Sequence, residues 1–237
     1  MRAKRCGLVM TEVPYPAHKI PPMTRADAMG LLLAAIARLI TGAQGHWKGC
    51  PPKAEQRIYF ANHQSHLDWV LIWAALPREL RASTRPIAAR DYWTAGRFKH
   101  WITREVFNAV YVSRTRTDDQ DPLEPLAEAL RHGDSLVIFP EGTRGHQGQP
   151  QPFKSGLFHL AEQFPQVHLI PAWIDNVQRV MPKGEVVPVP ILCTVTFGAP
   201  VQLQPGEDKR GFLGRARQAV IALQPAGSGD AAAAPAA

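Results

Sequence analysis

Short strand-like segments alternate with helical segments along most of this 237-residue chain. A helix between two strands carries the chain back to the start of the next strand, which is how parallel strands are connected. The alternation therefore predicts an α/β fold, a single domain with a largely parallel or mixed sheet flanked by helices. Strands are predicted at 57–61, 86–89, 109–112, 135–139, 168–174 and 192–197, and helices at 67–76, 91–103, 122–132, 155–164 and 208–223.

The two ends of the chain lie outside this alternation. Residues 1–22 are Pro-rich and lack periodicity, which predicts an irregular extension and leaves open whether Met1 or Met23 is the true start. Residues 23–56 are predicted to form an N-terminal amphipathic helix and a linker, and residues 57–224 the main domain. Residues 225–237, rich in Ala, Gly, Pro and Ser, cannot bury themselves and are predicted to be a disordered tail.

The N-terminal helix is predicted between Thr24, as its N-cap, and Gly42, just past its end. Its apolar face is unusually wide, which suits either a buried core helix or a helix in the lipid headgroup boundary. Its longest apolar stretch, 29–37, is well short of the roughly 20 residues that a membrane-spanning helix needs. We therefore predict no transmembrane segment. The apolar run 7–10 is also too short for a signal peptide.

Composition excludes several other classes of protein. A hydrophobic content of 45% with 20% charged residues supports a sizeable core and excludes a wholly disordered or collagen-like chain. Cys6, Cys50 and Cys193 are far apart and odd in number, so they predict neither a disulfide framework nor a zinc knuckle. A reducing compartment fits best.

Positive charge is concentrated in the first half of the chain. Residues 1–116 hold 18 Lys or Arg against 7 Asp or Glu, a net charge of +11, whereas residues 117–237 hold 9 against 13, a net charge of −4. A basic half implies an acidic partner, which could be nucleic acid, an anionic membrane surface or a phosphorylated substrate.

The first candidate site is the sequence NHQSHLD at 62–68, where a predicted strand gives way to a helix. On a continuous helix His63 and Asp68 would point about 140° apart, so they can meet only across a bend. In that arrangement Asp68 would hold one ring nitrogen of His63 and leave the other free as a base. Asn62 and Ser65 could cap the helix and fix the bend. The alternative is a capped helix with incidental histidines.

The second candidate site is FPEGTR at 139–144, directly after the most strand-like run of the chain. Ligands in α/β sheets gather just beyond the carboxyl ends of the strands. The planar fork of Arg144 suits a phosphate, whereas Glu141 would repel one and is expected to orient Arg144 or a backbone turn. Arg114 and Arg90 also follow predicted strands and are further candidate phosphate ligands. The alternative here is a turn with a surface salt bridge.

These segments together resemble a known family. NHQSHLD, AVYVSR at 109–114 and FPEGTR, followed by FKSG at 153–156 and LIPAW at 169–173, resemble the lysophospholipid and glycerol-phosphate acyltransferases, most closely bacterial 1-acyl-sn-glycerol-3-phosphate acyltransferases. The resemblance covers roughly residues 25–201. The chain departs from the family at Asn108, where a glycine is frequent, and at Ser113, where an acidic residue is common.

The resemblance implies a glycerol-phosphate acyltransferase-like fold and a role for each matching residue. It implies that His63 is the general base and that Asp68 holds its imidazole. Phosphate binding is implied for Arg114 and Arg144, and with less support for Arg90. The acceptor-binding loop would comprise Glu141, Gly142 and Thr143, and Pro171 would belong to the later proline motif.

The implied function is transfer of a fatty acyl group from acyl-CoA or acyl-carrier protein to the free hydroxyl of a lysophospholipid. The expected acceptor is 1-acyl-sn-glycerol-3-phosphate, giving phosphatidate, with another lysolipid such as a lyso-ornithine lipid as the alternative. No cofactor, no metal and no nucleic acid are expected. We expect peripheral or monotopic association with the cytoplasmic face of an anionic membrane.

Two other classes of protein are alternatives. A metal-dependent hydrolase would use His63, His66 and Asp68, completed by one of His132, His146, His159 or His168, although none of these forms a paired ligand motif. A basic module that binds nucleic acid or lipid headgroups would explain the charge and leave FPEGTR unexplained. A serine lipase is disfavoured because no G-x-S-x-G sequence occurs.

Overall fold

A computed structural model describes residues 28–32, 35, 44–65, 68–89, 101, 107–112, 121–145, 149–175 and 193–225. Its strands are β1 (Gln44–Trp47), β2 (Arg57–Ala61), β3 (Thr84–Ala89), β4 (Val110–Val112), β5 (Ser135–Ile138), β6 (His168–Asp175) and β7 (Thr194–Phe197). Its helices are α1 (Asp68–Ala75), α2 (Arg78–Ala82), α3 (Glu124–Arg131), α4 (Gly156–Gln163) and α5 (Lys209–Ile221).

The strands form one mixed sheet in the order β1-β7-β6-β2-β5-β3-β4. Every neighbouring pair is parallel except β6 and β7, which are antiparallel. The predicted α/β class, with a largely parallel or mixed sheet flanked by helices, is confirmed. Because β2 and β5 are parallel neighbours, the two motifs that follow them emerge at the same edge of the sheet.

Helices cover both faces of the sheet, so its central strands are buried on both sides. Along β2 the side chains alternate between two cores, with Tyr59 in one and Ile58 and Phe60 in the other. The first core is built mainly from α1 and the second from α3, α4 and α5.

Helix α1 is apolar on all sides, which is typical of a helix enclosed by protein. Leu71 and Ile72 are almost fully buried, and such burial stabilises a fold by roughly 1.5–3 kcal/mol per side chain. The rings of Trp69 and Trp73 both contact Phe107 edge-on, with centroid distances of 4.5 and 4.8 Å. The first residue of this enclosed helix, Asp68, is therefore itself removed from solvent.

Two elements were not predicted from the sequence. Strand β1 alternates exposed and half-buried positions and has no apolar run, and its place depends on parallel pairing with β7 at the edge of the sheet. Helix α2 is a five-residue turn of polar sequence that buries Leu80 alone. Strand β1 therefore depends on tertiary contacts that local sequence does not encode.

Several predictions fall on residues outside the described part of the chain. Residues 28–32 and 35 are helical, but the rest of the N-terminal helix predicted at 24–42 lies outside it. Also outside the described part are the extension at 1–22, the helix predicted at 91–103 apart from residue 101, and residues 226–237. Across the described residues, no helix combines the length and apolarity needed to span a membrane. Cys50 and Cys193 are buried free thiols, and Cys6 lies outside the description.

Candidate active site

The loop after β2 is fixed by the side chain of Asn62. Its Nδ2 donates to the carbonyl of Ile174 at 3.0 Å, and its Oδ1 accepts from the N–H of the same residue at 2.8 Å. Asn62 thus extends the pairing of β2 with β6 by one residue and is almost fully buried. The predicted helix-capping role of Asn62 is wrong, because both of its polar atoms are used by the neighbouring strand.

His63 and Asp68 meet across the bend that follows. His63 Nδ1 lies 2.8 Å from Asp68 Oδ2, and the same oxygen accepts from the backbone N–H groups of Gln64 at 2.6 Å and Ser65 at 2.9 Å. An ionised carboxylate can only accept, so Nδ1 of neutral His63 carries the proton and Nε2 has a free lone pair. The predicted contact between the two side chains is present in the structure.

The imidazole of His63 is also held by an aromatic side chain. Its ring stacks on that of Phe139, the residue after β5, with a centroid distance of 4.4 Å and an interplanar angle of 18°. The His63 side chain remains 20% exposed. One ring face is therefore packed while part of the imidazole still contacts solvent.

Glu141 joins the two motifs through backbone hydrogen bonds. Its Oε1 accepts from the N–H of His63 at 2.7 Å and its Oε2 from the N–H of Gln151 at 2.7 Å. Burial raises the pKa of Glu141 above its ordinary value, and the hydrogen bonds from Gln151 and His63 oppose that shift. Glu141 was expected to orient either Arg144 or a backbone turn, and the structure supports the second role.

The loop 139–145 turns tightly beside His63. Gly142 has φ +68°, a conformation that side chains with Cβ disfavour, and its N–H donates to the carbonyl of Phe139 at 3.0 Å. The N–H of Gly145 donates to the carbonyl of His63 at 2.8 Å. Thr143 and Arg144, between these anchors, are exposed. The loop therefore presents a hydroxyl and a guanidinium to solvent beside the His63 backbone.

The structure therefore brings together part of the predicted site. His63, Asp68 and Glu141 are connected by hydrogen bonds, and Gly142, Thr143 and Arg144 belong to the loop bonded to His63. Arg90 and Arg114 lie outside the described residues. Pro171 is buried in β6, where its carbonyl accepts from the N–H of Gly198 at 2.9 Å.

Three contributors were missed by sequence reasoning. They are the Asn62 bridge to Ile174, the Phe139 ring under His63 and the Gln151 N–H that binds Glu141. The adjacency of β2 and β5 is the signal that could have found Phe139, because residues at the ends of parallel neighbours lie side by side. The other two depend on partners 112 and 10 residues away in the chain, which no local pattern reveals.

Metal ligation was the competing use of this histidine and aspartate. Among the residues that the structure describes, no group of three or more His, Cys, Asp or Glu side chains could hold a metal ion. His66 and His146 are outside that part of the chain. The described partners of His63 Nδ1 and Asp68 Oδ2 are each other and the protein backbone.

The mixed, largely parallel sheet carries a His–Asp pair and a glycine turn at one edge, and the sequence assigns the chain to a class of enzymes. Residues 49–175 match the acyltransferase family, and the chain belongs to that family, as the motifs indicated. The chain is 33% identical over 160 residues to mouse 1-acyl-sn-glycerol-3-phosphate acyltransferase alpha, covering 65% of this chain and 53% of the mouse protein. It is 34% identical over 138 residues to the human protein of that name, covering 56% and 46%.

A plant relative and a solved structure extend the comparison. The chain is 28% identical over 162 residues to the Cocos nucifera 1-acyl-sn-glycerol-3-phosphate acyltransferase, covering 65% of this chain and 48% of that protein. The crystal structure of PlsC, the 1-acyl-sn-glycerophosphate acyltransferase of Thermotoga maritima, superimposes with a TM-score of 0.65 at 20% identity, covering 83% of this chain and 77% of that one. That likeness concerns the fold. The chain spans about half the length of the curated relatives it matches.

Proposed function

We propose that this chain transfers a fatty acyl group from an acyl thioester to the free hydroxyl of 1-acyl-sn-glycerol-3-phosphate, giving phosphatidate. The observation that carries the proposal is the 2.8 Å contact of His63 Nδ1 with Asp68, which leaves Nε2 as a base at the edge of an acyltransferase-family sheet. The acceptor is chosen because the relatives from mouse, human and coconut are named for it.

The reaction needs a base because a free hydroxyl is a poor nucleophile. His63 Nε2 takes the hydroxyl proton as the oxygen attacks the thioester carbonyl, so that a C–O bond forms and the C–S bond then breaks. The departing thiolate takes the proton back from the imidazolium, and every atom is accounted for without a covalent enzyme intermediate. The negative charge of Asp68 stabilises the imidazolium while it exists. No metal and no bound cofactor takes part in this scheme.

The loop 139–145 serves the acceptor in this scheme. Arg144 binds the acceptor phosphate together with Arg114, and Arg90 supplies further positive charge. Gly142 and Thr143 form the surface against which the glycerol backbone lies. Holding the phosphate at a fixed distance from Nε2 converts a collision of two molecules into a positioned attack.

Glu141 acts as a positioning residue rather than a substrate ligand. Both of its carboxylate oxygens are already bonded to backbone N–H groups, and its side chain is almost fully buried. A phosphate would also be repelled by the ionised carboxylate. Its contribution is to fix the His63 backbone relative to the loop that carries Arg144.

The lipid substrate requires access to a membrane. We place the protein at the cytoplasmic face of an anionic membrane, in peripheral or monotopic association, with acyl-CoA or acyl-carrier protein as the donor. The net charge of +11 over residues 1–116 favours an anionic surface. Leu31 and Leu32, in the helical residues 28–32, are 36% and 53% exposed and supply apolar area for insertion. Nucleic acid has no role in the proposal.

The test is acyl transfer by purified protein offered a panel of lysolipids with each donor, with the products identified by mass spectrometry. We expect 1-acyl-sn-glycerol-3-phosphate to be the best acceptor and the His63→Ala variant to lose turnover. His159→Ala, which changes an exposed histidine on α4, is the matched control and should retain turnover. Unchanged transfer in His63→Ala, or equal use of acceptors without phosphate, would count against the proposal. A preference for a lyso-ornithine lipid would support that lipid as the acceptor in place of 1-acyl-sn-glycerol-3-phosphate.

A further inference from the structure

The side chain of Lys154 lies directly across Gly142. A Cβ atom added at Gly142 would come within 2.7 Å of Lys154 Nζ and 2.8 Å of its Cδ and Cε. The missing side chain of this glycine is therefore what lets the lysine stem lie over the loop. Gly142 separates Glu141, which binds the His63 backbone, from the exposed Thr143 and Arg144.

The backbone at Lys154 and the residue before it are both held in place. Its N–H donates to the carbonyl of Pro140 at 2.9 Å, which joins it to the loop 139–145. The preceding residue, Phe153, is buried and its ring contacts Phe60 edge-on at a centroid distance of 6.2 Å. Phe153 is thus anchored in the core, while Lys154 is exposed. These two contacts therefore fix the backbone position of Lys154.

No carboxylate among the described residues forms an ion pair with Lys154. The two acidic groups of the site are already engaged, Asp68 by His63 and the backbone and Glu141 by two N–H groups. Lys154 therefore adds a positive charge over Gly142, two residues before Arg144 in the loop 139–145.

We propose that Lys154 binds the phosphate of the acceptor lipid and thereby determines the preference for a phosphorylated acceptor. The proposal rests on the function proposed above and adds to it a residue outside FPEGTR. A lysine binds phosphate as a compact point charge, whereas arginine binds it as a planar fork, so Lys154 and Arg144 can contact different oxygens of one phosphate. The same chemistry would also suit the phosphates of the acyl donor, and the experiment must distinguish these two sources.

The experiment compares Lys154→Met, which keeps the apolar stem and removes the charge, with Lys209→Met on the exposed start of α5 as a control of equal charge change. Each variant is assayed with 1-acyl-sn-glycerol-3-phosphate and with the monoacylglycerol that lacks its phosphate. Each is also assayed with acyl-CoA and with acyl-pantetheine, which lacks the nucleotide phosphates of CoA. For Lys154→Met we expect kcat/KM toward the phosphorylated acceptor to fall about 10- to 100-fold, the range for a charge-assisted hydrogen bond.

The pattern of losses decides the question. A loss confined to the phosphorylated acceptor, absent in Lys209→Met and partly restored in Lys154→Arg, supports the assignment. Three other results would overturn the proposal. An equal loss of kcat/KM with both acceptors would indicate a structural role, and a loss seen with acyl-CoA but not with acyl-pantetheine would assign Lys154 to the donor. No loss with any substrate would leave Lys154 without a role.

A binding measurement separates this proposal from the proposed function. Binding of 1-acyl-sn-glycerol-3-phosphate to the wild-type and variant proteins, measured by calorimetry without donor, needs no turnover. If the wild-type protein fails to acylate this lipid, the proposed function fails. The assignment of Lys154 would still stand if Lys154→Met weakened binding about 10-fold while Lys209→Met did not. Equal binding by all three proteins would overturn it.

Discussion

The Oε1 atom of Glu141 lies 2.7 Å from the backbone nitrogen of His63, although the two residues are 78 positions apart in the chain. The carboxylate is almost fully buried, and its other oxygen holds the N–H of Gln151. A second hydrogen bond, from the Gly145 N–H to the His63 carbonyl, joins the same two segments. The proposed base and the proposed acceptor loop are therefore linked through the main chain, and a shift of one would displace the other.

Replacing Glu141 with Gln should weaken this link. An amide has one acceptor oxygen, so either the His63 or the Gln151 N–H would face the NH₂ group and lose its partner. We expect a loss of about 1–3 kcal/mol in unfolding free energy, the cost of an unsatisfied buried donor, and a fall in kcat larger than the change in KM for the acceptor. Urea unfolding and steady-state kinetics would measure the two effects. Glu162→Gln, at an exposed position on α4, is the control.

The same substitution should change how stability depends on pH. Burial raises the pKa of Glu141 above 4.5, so over a range of pH just above 4.5 the folded state binds this proton more tightly than the unfolded state does. The contribution of Glu141 is fully present below pH 4.5 and declines as pH rises through the elevated pKa. The difference in unfolding free energy between wild type and Glu141→Gln should therefore shrink across that window. A difference that grows with pH would contradict the assignment.

Glu207 provides a control of opposite sign for that experiment. The hydrogen bond from Arg215 lowers the pKa of Glu207, and its carboxylate accepts from Arg215 Nε at 2.9 Å. Its contribution is present above pH 4.5 and is lost as pH falls through the lowered pKa. Wild type and Glu207→Gln should consequently converge in stability toward acid pH, whereas wild type and Glu141→Gln should converge toward higher pH.

Asp68→Asn tests the proposed role of the negative charge beside His63. The amide oxygen can still accept from His63 Nδ1, Gln64 and Ser65, so the geometry of the bend should persist. The imidazolium would lose its counter-charge, and we expect kcat to fall about 100-fold or more, within the range for general base catalysis. KM for the acceptor should change little, and circular dichroism should report a native fold. Retention of full kcat would remove Asp68 from the proposed mechanism.

Local pattern and sheet topology account for different parts of this molecule. Strand β2 and helix α5 lie where the sequence predicted them, at 57–61 and 208–223, and the structure adds that Asp208 caps α5, its Oδ1 accepting from the Gly211 N–H at 2.8 Å. The His63–Asp68 contact was one of two alternatives that their spacing left open, and the family resemblance implied it. Asn62 was assigned wrongly because its partner, Ile174, belongs to a strand 112 residues away. Long-range hydrogen bonds of this kind are fixed by strand order, which local sequence does not encode.

Asn108 has a left-handed backbone conformation at a position where the family often has glycine. Its φ is +45°, and its carbonyl accepts from Arg85 Nε at 2.7 Å. Asn tolerates this left-handed conformation better than most residues with a side chain. We expect Asn108→Gly to retain stability and activity. Asn108→Val should lose about 1–2 kcal/mol of unfolding free energy, because a β-branched residue is strained there. Equal stability of the two variants in urea would contradict this explanation.

Gly142→Ala should impair the loop in two separable ways. At φ +68° an added Cβ strains the backbone by roughly 1–2 kcal/mol, and it would also displace the Lys154 stem that lies 2.7–2.8 Å from that position. If the displacement matters for acceptor binding, the kinetic losses of Gly142→Ala and Lys154→Met will not add in the double variant, because the second change removes a contact already lost.

Gly133→Ala supplies the control, since Gly133 has φ +86° and nothing within 4 Å of an added Cβ. It should lose stability by a similar amount without altering acceptor KM. Additive kinetic losses would mean that Gly142 acts through its own backbone conformation and independently of Lys154.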